Sequence, residues 1–254
     1  MTTSETSTLP ASVIEALRHD PVKPAPPVIW NENYLNWLQW ANPGHFHPGN
    51  LYCFELVSRH LKSDAPWLEI GTFAGLSTNQ MAHFKRKHGL KNTLFTCDKW
   101  HFEGGPHGHQ IDESGISHDQ YSKFMKESYI RNAKFFSYDA LPHTIELFSD
   151  EFFDAWRKGE EREDVFGRSV KLGGPLSFSF IDGNHSYDFA KRDFENTDEF
   201  LEVGGFVLFD DSADGSKSPG GLDWDVCKVI DEVKATGRYE VVIQNPNYLF
   251  VRTG

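Results

Sequence analysis

Three groups of residues in this chain of 254 have types and spacings that can do chemistry. The first is Glu69-Ile70-Gly71-Thr72-Phe73-Ala74-Gly75-Leu76-Ser77, an E-x-G-x-x-x-G-x-S pattern behind the apolar pair Trp67-Leu68. Gly71 and Gly75 carry no Cβ, so the backbone there can turn tightly and approach a ligand closely. Ser77 and Thr78 stand where a following helix would expose unpaired N–H groups, and such a helix start attracts anionic groups. The spacing is not the G-x-G-x-x-G of dinucleotide cradles, and Phe73 stands where a middle glycine would admit a pyrophosphate. A carboxylate or a small zwitterion fits this turn better. The second group is Asp98, roughly 20 residues beyond the glycine turn, where a carboxylate can take both hydroxyls of a ribose or simply end a strand. The third is acidic: Asp182, followed by His185, and the pair Asp210-Asp211, each closing an apolar run.

These residues need a sheet to position them. Trp67 to Glu69, Asn92 to Cys97, Lys134 to Tyr138, Leu176 to Ile181 and Phe206 to Phe209 read as strands. Between them, Ser77 to His88, Gln120 to Ala133, Leu141 to Trp156, Tyr187 to Leu201 and Trp224 to Thr236 read as helices. Tyr239 to Ile243 and Tyr248 to Arg252, around Asn245-Pro246-Asn247, read as a closing hairpin. Strands that alternate with helices call for an α/β fold, a doubly wound parallel sheet with helices on both faces. Ligands of such sheets bind beyond the carboxyl ends of the strands, where these acidic residues fall.

The flanking segments say less. Met1 to Pro27 reads as an arm with one short helix, Ala11 to Arg18, bounded by prolines. Trp30, Tyr34, Trp37 and Leu38 recur near helical spacing, a stripe that either packs on the main domain or covers a pocket. His45 and His47 follow in a loop, and Leu51 to Leu61 reads as a helix. Residues 1–65 are therefore expected to form an arm and helical lid, and 66–254 a single domain. Lys99 to His118 is a polar insertion containing His101, His107, His109 and His118, read as an active-site loop ahead of a zinc site. Lys158 to Lys171 is charged enough to be a surface loop.

The formal charge of −12 disfavours a nucleic-acid partner, whose phosphates need neutralising. No apolar run approaches the ~20 residues of a membrane span. The first ten residues lack the apolar core of a signal peptide. Three scattered cysteines, Cys53, Cys97 and Cys227, fit a reducing compartment without a disulfide framework, so a cytoplasmic location is expected.

Three segments together resemble one family: Leu68 to Ser77, then Phe180-Ile181-Asp182-Gly183-Asn184-His185-Ser186-Tyr187, then Gly204-Gly205-Phe206-Val207-Leu208-Phe209-Asp210-Asp211. They resemble the class I S-adenosylmethionine-dependent methyltransferases, and within them the macrocin O-methyltransferase-like and cephalosporin-hydroxylase-like group. The resemblance implies a Rossmann-like sheet of seven strands whose last hairpin supplies the antiparallel strand. It implies that the methionine part of S-adenosylmethionine lies at Glu69, Gly71 and Gly75 with Ser77 nearby, the ribose at Asp98, and the adenine near Tyr138 and Asp139. It also implies that Asp182, Asp210 and Asp211 hold Mg²⁺ or another divalent cation, an all-oxygen set suited to that ion. The competing roles are a turn residue for Asp182 and a helix cap for Asp211. His185, at a helix start, is a candidate neutral base or a residue that only holds its loop.

The expected activity is O-methylation of a small-molecule hydroxyl on a sugar, phenol or other natural product, with His185 and Asp182 catalytic. An NAD-dependent oxidoreductase and a cofactor-binding partner protein without turnover are the alternatives. Nucleic acid and membrane are not expected partners, and a homo-oligomer is compatible with the sequence.

Overall fold

The strand Trp67–Ile70 (β1) is buried at all four positions and pairs in parallel on both sides. The computed structural model describes residues 28–101, 110–214 and 225–254. On one side of β1 lies Leu94–Cys97 (β2), followed by the edge strand His143–Ile145 (β3). On the other side lie Leu176–Ile181 (β6) and Leu201–Phe209 (β7). The hairpin Tyr239–Gln244 (β8) and Tyr248–Arg252 (β9) closes the sheet, with β9 antiparallel to β7. The order is β3-β2-β1-β6-β7-β9-β8, seven strands of which only β9 runs against the others. A separate antiparallel pair, Glu161–Glu163 (β4) and Ser169–Lys171 (β5), lies within the segment expected as a surface loop.

The central strands β1, β2 and β6 are buried at every position because helices cover both faces, and alternation sends successive side chains to opposite cores. Trp67, Phe178, Phe180, Phe206 and Leu208 enter one core, together with residues of the helices Gly49–His60 (α2) and Leu76–Lys87 (α3). Leu68, Ile70, Ile181, Val207 and Phe209 enter the other, against Ser149–Lys158 (α5), Tyr187–Phe200 (α6) and Val226–Ala235 (α7). Phe54 of α2 packs edge-on against Phe178 and Phe180, with ring centroids 6.1 and 5.3 Å apart. Losing a buried ring of this kind costs about 3–5 kcal/mol, so α2 is held on the sheet by its own core residues.

Two expectations from the sequence need correction. Lys134 to Tyr138 is not a strand. His118–Phe136 (α4) runs through most of it, started by a capping box in which Ser117 and Gln120 exchange hydrogen bonds. The buried residues Met125, Tyr129, Asn132 and Ala133 keep helical spacing to its end, while Phe135 faces solvent. The third strand is instead the short β3, inside the segment read as one long helix, and α5 follows it. A strand of three residues is too short to print a period of two.

The aromatic stripe near the N-terminus is the second correction. In Asn33–Ala41 (α1) the buried residues are Leu35 and Leu38, whereas Trp37 is 67% and Trp40 74% exposed. Trp30 alone of the tryptophans there rests on the core, between the cations of Arg59 and Lys87. The helix expected over Ala11 to Arg18 and the residues His107, His109 and Trp224 lie outside the described residues.

Candidate active site

β1 ends in the glycine turn. Gly71 has φ 83° and Gly75 φ 90°, so both occupy backbone conformations that side chains rarely adopt. A Cβ on Gly71 would sit 2.1 Å from the carbonyl oxygen of Asp182, so only glycine lets the two strand ends approach this closely. Phe73 also has positive φ, 45°, and its ring leans against His45 and Tyr121. The carbonyl of Ala74 accepts hydrogen bonds from the buried amides of Asn42 and Asn132, which brace the turn from two sides.

Asp98, at the end of β2, fastens this turn to its neighbour. Its Oδ2 accepts from the N–H groups of Thr72 and Phe73 and from the Thr72 hydroxyl, and its Oδ1 accepts from the Trp100 N–H. The carboxylate still borders the cavity beyond the strand ends. Burial raises its pKa, and these N–H donors oppose that rise.

The cavity has a volume of about 470 Å³. Its walls come from the turn (Gly71, Phe73), the end of β2 (Cys97, Asp98, Trp100), the stretch after β3 (Leu147, Phe148, Ser149) and the stretch after β6 (Asp182, Asn184, His185). Phe189 and Asp193 of α6 line it too, and so does His45 from the loop before α2. Its size suits one cofactor-sized ligand with a small partner.

Next to Asp182 the end of β7 brings in Asp210. One donor atom each from Asp182, His185 and Asp210 lies within 4.8 Å of the others. His185 Nε2 is 3.5 Å from Asp182 Oδ1, and its Nδ1 is 3.5 Å from Asp211 Oδ2. Burial, and then the neighbouring charges of Asp210 and Glu69, raise the pKa of Asp182 well above the usual carboxylate range. Burial and Asp210 push that of Asp211 up to about 7. Burial lowers that of His185, which favours a neutral ring. Carboxylates crowded like this are relieved by a cation, and the oxygen-and-imidazole donor set is one that divalent ions accept.

A family profile described as a methyltransferase domain matches residues 68–212, more than half of the chain and every strand end that meets at the cavity. The chain belongs to the methyltransferase-domain family. Its seven-stranded sheet, with one antiparallel strand supplied by the last hairpin, is the one implied by the resemblance to the class I S-adenosylmethionine-dependent methyltransferases. Among solved structures, the fold is similar to that of the O-methyltransferase TomG from Streptomyces achromogenes. Identity there is 17%, covering 89% of this chain and 92% of that one, with a TM-score of 0.54. It is also similar to a putative O-methyltransferase from Klebsiella pneumoniae at 15% identity, covering 89% and 93%, with a TM-score of 0.55. An uncharacterised protein of Acanthamoeba polyphaga mimivirus is 26% identical over 195 residues, 77% of this chain and 70% of that protein.

In this methyltransferase the residues read from sequence divide into those that reach the cavity and those that do not. Gly71, Asp98, Asp182 and His185 line it. Gly75 shapes the turn from behind, where an added Cβ would press on Tyr129 at 3.0 Å. Glu69 and Ser77 do not line the cavity. Strand alternation turns Glu69 toward the α3 face, where both its oxygens are taken by the hydroxyls of Ser77 and Thr78. Fully buried there, Glu69 has its pKa pushed up to about 8.

Tyr138 and Asp139 do not stand at a strand end, because the strand expected over Lys134 to Tyr138 does not form, and neither residue lines the cavity. Tyr138 is 74% exposed, and Asp139 pairs with Arg86 at the molecular surface. The true third strand delivers Leu147, Phe148 and Ser149 to the cavity instead. Of the insertion histidines, His101 reaches the cavity wall and His118 opens α4. His45, Leu147, Phe148 and Phe189 carry no motif, and the sequence held no signal for them beyond apolar or aromatic character.

Proposed function

We propose that this methyltransferase uses S-adenosylmethionine to methylate a hydroxyl of a small molecule, assisted by a divalent cation. One observation carries the reading: the glycine turn, Asp98, Asp182 and His185 line one cavity, and Asp210 stands behind that wall within reach of Asp182 and His185. A turn that accepts a zwitterion therefore faces a site that can ionise a hydroxyl.

Backbone N–H groups near Gly71 would receive the methionine carboxylate, and Asp98 keeps acceptor capacity for a ribose hydroxyl. Leu147, Phe148 and Phe189 offer an apolar slot for the adenine. Asp182 and Asp210 would hold the cation, with Asp211 behind His185. The cation, when bound, would lower the pKa of a hydroxyl placed beside it. His185, kept neutral by burial, would accept the hydroxyl proton as the O–CH₃ bond forms and the S–CH₃ bond breaks, leaving S-adenosylhomocysteine. Most of the acceleration would come from holding oxygen and methyl in line.

Titration calorimetry with S-adenosylmethionine tests the cofactor half, and mass spectrometry of a panel of hydroxylated acceptors with and without Mg²⁺ tests the other. Cofactor binding with cation-stimulated methylation is expected. Absence of cofactor binding overturns the reading, and methylation unaffected by EDTA overturns the role of the cation.

A further inference from the structure

The cluster around Asp210 does not end with residues of the family-matched segment. Asn50, in the first turn of α2, donates from Nδ2 to Asp210 Oδ1 at 2.5 Å. Asn247, in the turn between β8 and β9, donates from its Nδ2 to the same oxygen at 2.6 Å. The same Asn247 nitrogen lies 3.0 Å from Asn50 Oδ1, and Asn247 Oδ1 accepts from the Ser212 N–H at 3.1 Å. Asn50 is 0% exposed, Asn247 2% and Asp210 4%, so these bonds are shielded from bulk solvent.

The two asparagines are themselves held. Asn245 donates to the carbonyl of Gly49 at 3.0 Å, and Gly49 lies so close to this turn that a Cβ would stand 1.9 Å from the Asn245 carbonyl oxygen. The start of α2 and the β8–β9 turn thus form one rigid unit around Asp210.

Resting on the cation reading above, we infer that Asn50 and Asn247 are positioning residues for the cation site, acting through Asp210. Each amide nitrogen can only donate, so Oδ1 is committed as an acceptor to both. Two donors on one oxygen fix the rotation of the carboxylate and leave Oδ2 clear of both amides, as the oxygen for the cation. Both residues lie outside residues 68–212, so the chain ends complete a site whose other members come from the family segment. Partners of this kind, one bond removed from the metal, are worth about 10–100-fold in metal affinity.

The test is Mn²⁺ binding to the purified full chain without cofactor or acceptor, read by the loss of the free-ion electron paramagnetic resonance signal. Asn50→Ala and Asn247→Ala are expected to weaken Mn²⁺ binding at least tenfold, and the double variant by less than the product of the two, because both act through one oxygen. Folding is checked by near-UV circular dichroism. If an alanine variant does not fold, the apolar and nearly isosteric Asn50→Leu and Asn247→Leu, which also cannot donate, replace it, with the same expected loss. Wild type that binds Mn²⁺ while the folded variants bind within twofold of it overturns this inference alone. Wild type that binds no Mn²⁺ overturns the cation reading on which the inference rests.

Discussion

Thr72 donates twice to a single oxygen of Asp98, from its backbone N–H at 2.8 Å and from its hydroxyl at 3.1 Å. The last carboxylate of β2 therefore shapes the turn that follows β1. Asp98→Ala would leave the N–H groups of Thr72, Phe73 and Trp100 without this acceptor. The expected cost is about 3 kcal/mol of stability, together with loss of cofactor binding. Chemical denaturation and calorimetry check both, and a variant that binds S-adenosylmethionine as wild type does would remove Asp98 from the site.

Gly71→Ala should act through geometry alone. The new methyl group meets the Asp182 carbonyl and the positive φ is unfavourable, so at least about 2 kcal/mol should be lost. Calorimetry with S-adenosylmethionine should show no measurable binding by any fraction that folds.

Glu69 gives stability a pH dependence. Its folded-state pKa of about 8 lies above the ordinary glutamate value of 4.5, so the folded protein holds a proton that the unfolded chain releases. The contribution is complete below the unfolded value and disappears as pH rises through the folded one. Between those limits stability should fall by up to about 1.4 kcal/mol per pH unit. Melting of cofactor-free protein from pH 5 to pH 9 should show this slope in wild type and a flatter one in Glu69→Gln, which offers an acceptor oxygen to one of the two hydroxyls and an amide donor to the other. Equal slopes would show that Glu69 is ionised throughout.

Protons compete with a cation at the acidic cluster. Asp182 is raised well above its usual range and Asp211 to about 7, so Mn²⁺ affinity should increase as pH goes from 6 to 8. The rise should be up to about tenfold per unit for each proton displaced. His185→Gln should retain most of this binding and lose turnover. A pH-independent affinity would mean that the carboxylates bind no cation.

The adenine end is checked by contrast. Tyr138→Ala should leave cofactor affinity within twofold of wild type, since that ring points into solvent. Leu147→Asp, on the cavity wall, should weaken it at least tenfold. The reverse pattern in a calorimetric comparison would return the adenine to Tyr138.

The sequence by itself determined the parts of this protein that depend on local pattern. Apolar runs ending in Asp98, Asp182 and Asp210, separated by amphipathic helices, are sufficient to specify a parallel sheet with an acidic carboxyl edge. Gly71 and Gly75 marked the turn because no other residue takes its backbone angles there without strain. Tertiary structure decided the rest. β3 is three residues long, below the length at which alternation can be read, so its position and with it the cavity wall of Leu147, Phe148 and Ser149 came from pairing with β2. Whether Glu69 faces ligand or core depends on which side of β1 carries α3, and no motif encodes that. The contacts of Asp210 with Asn50 and Asn247 span 160 and 37 residues. Such contacts leave no periodic trace along the chain, because they arise only when the start of α2 and the last turn close over the end of β7.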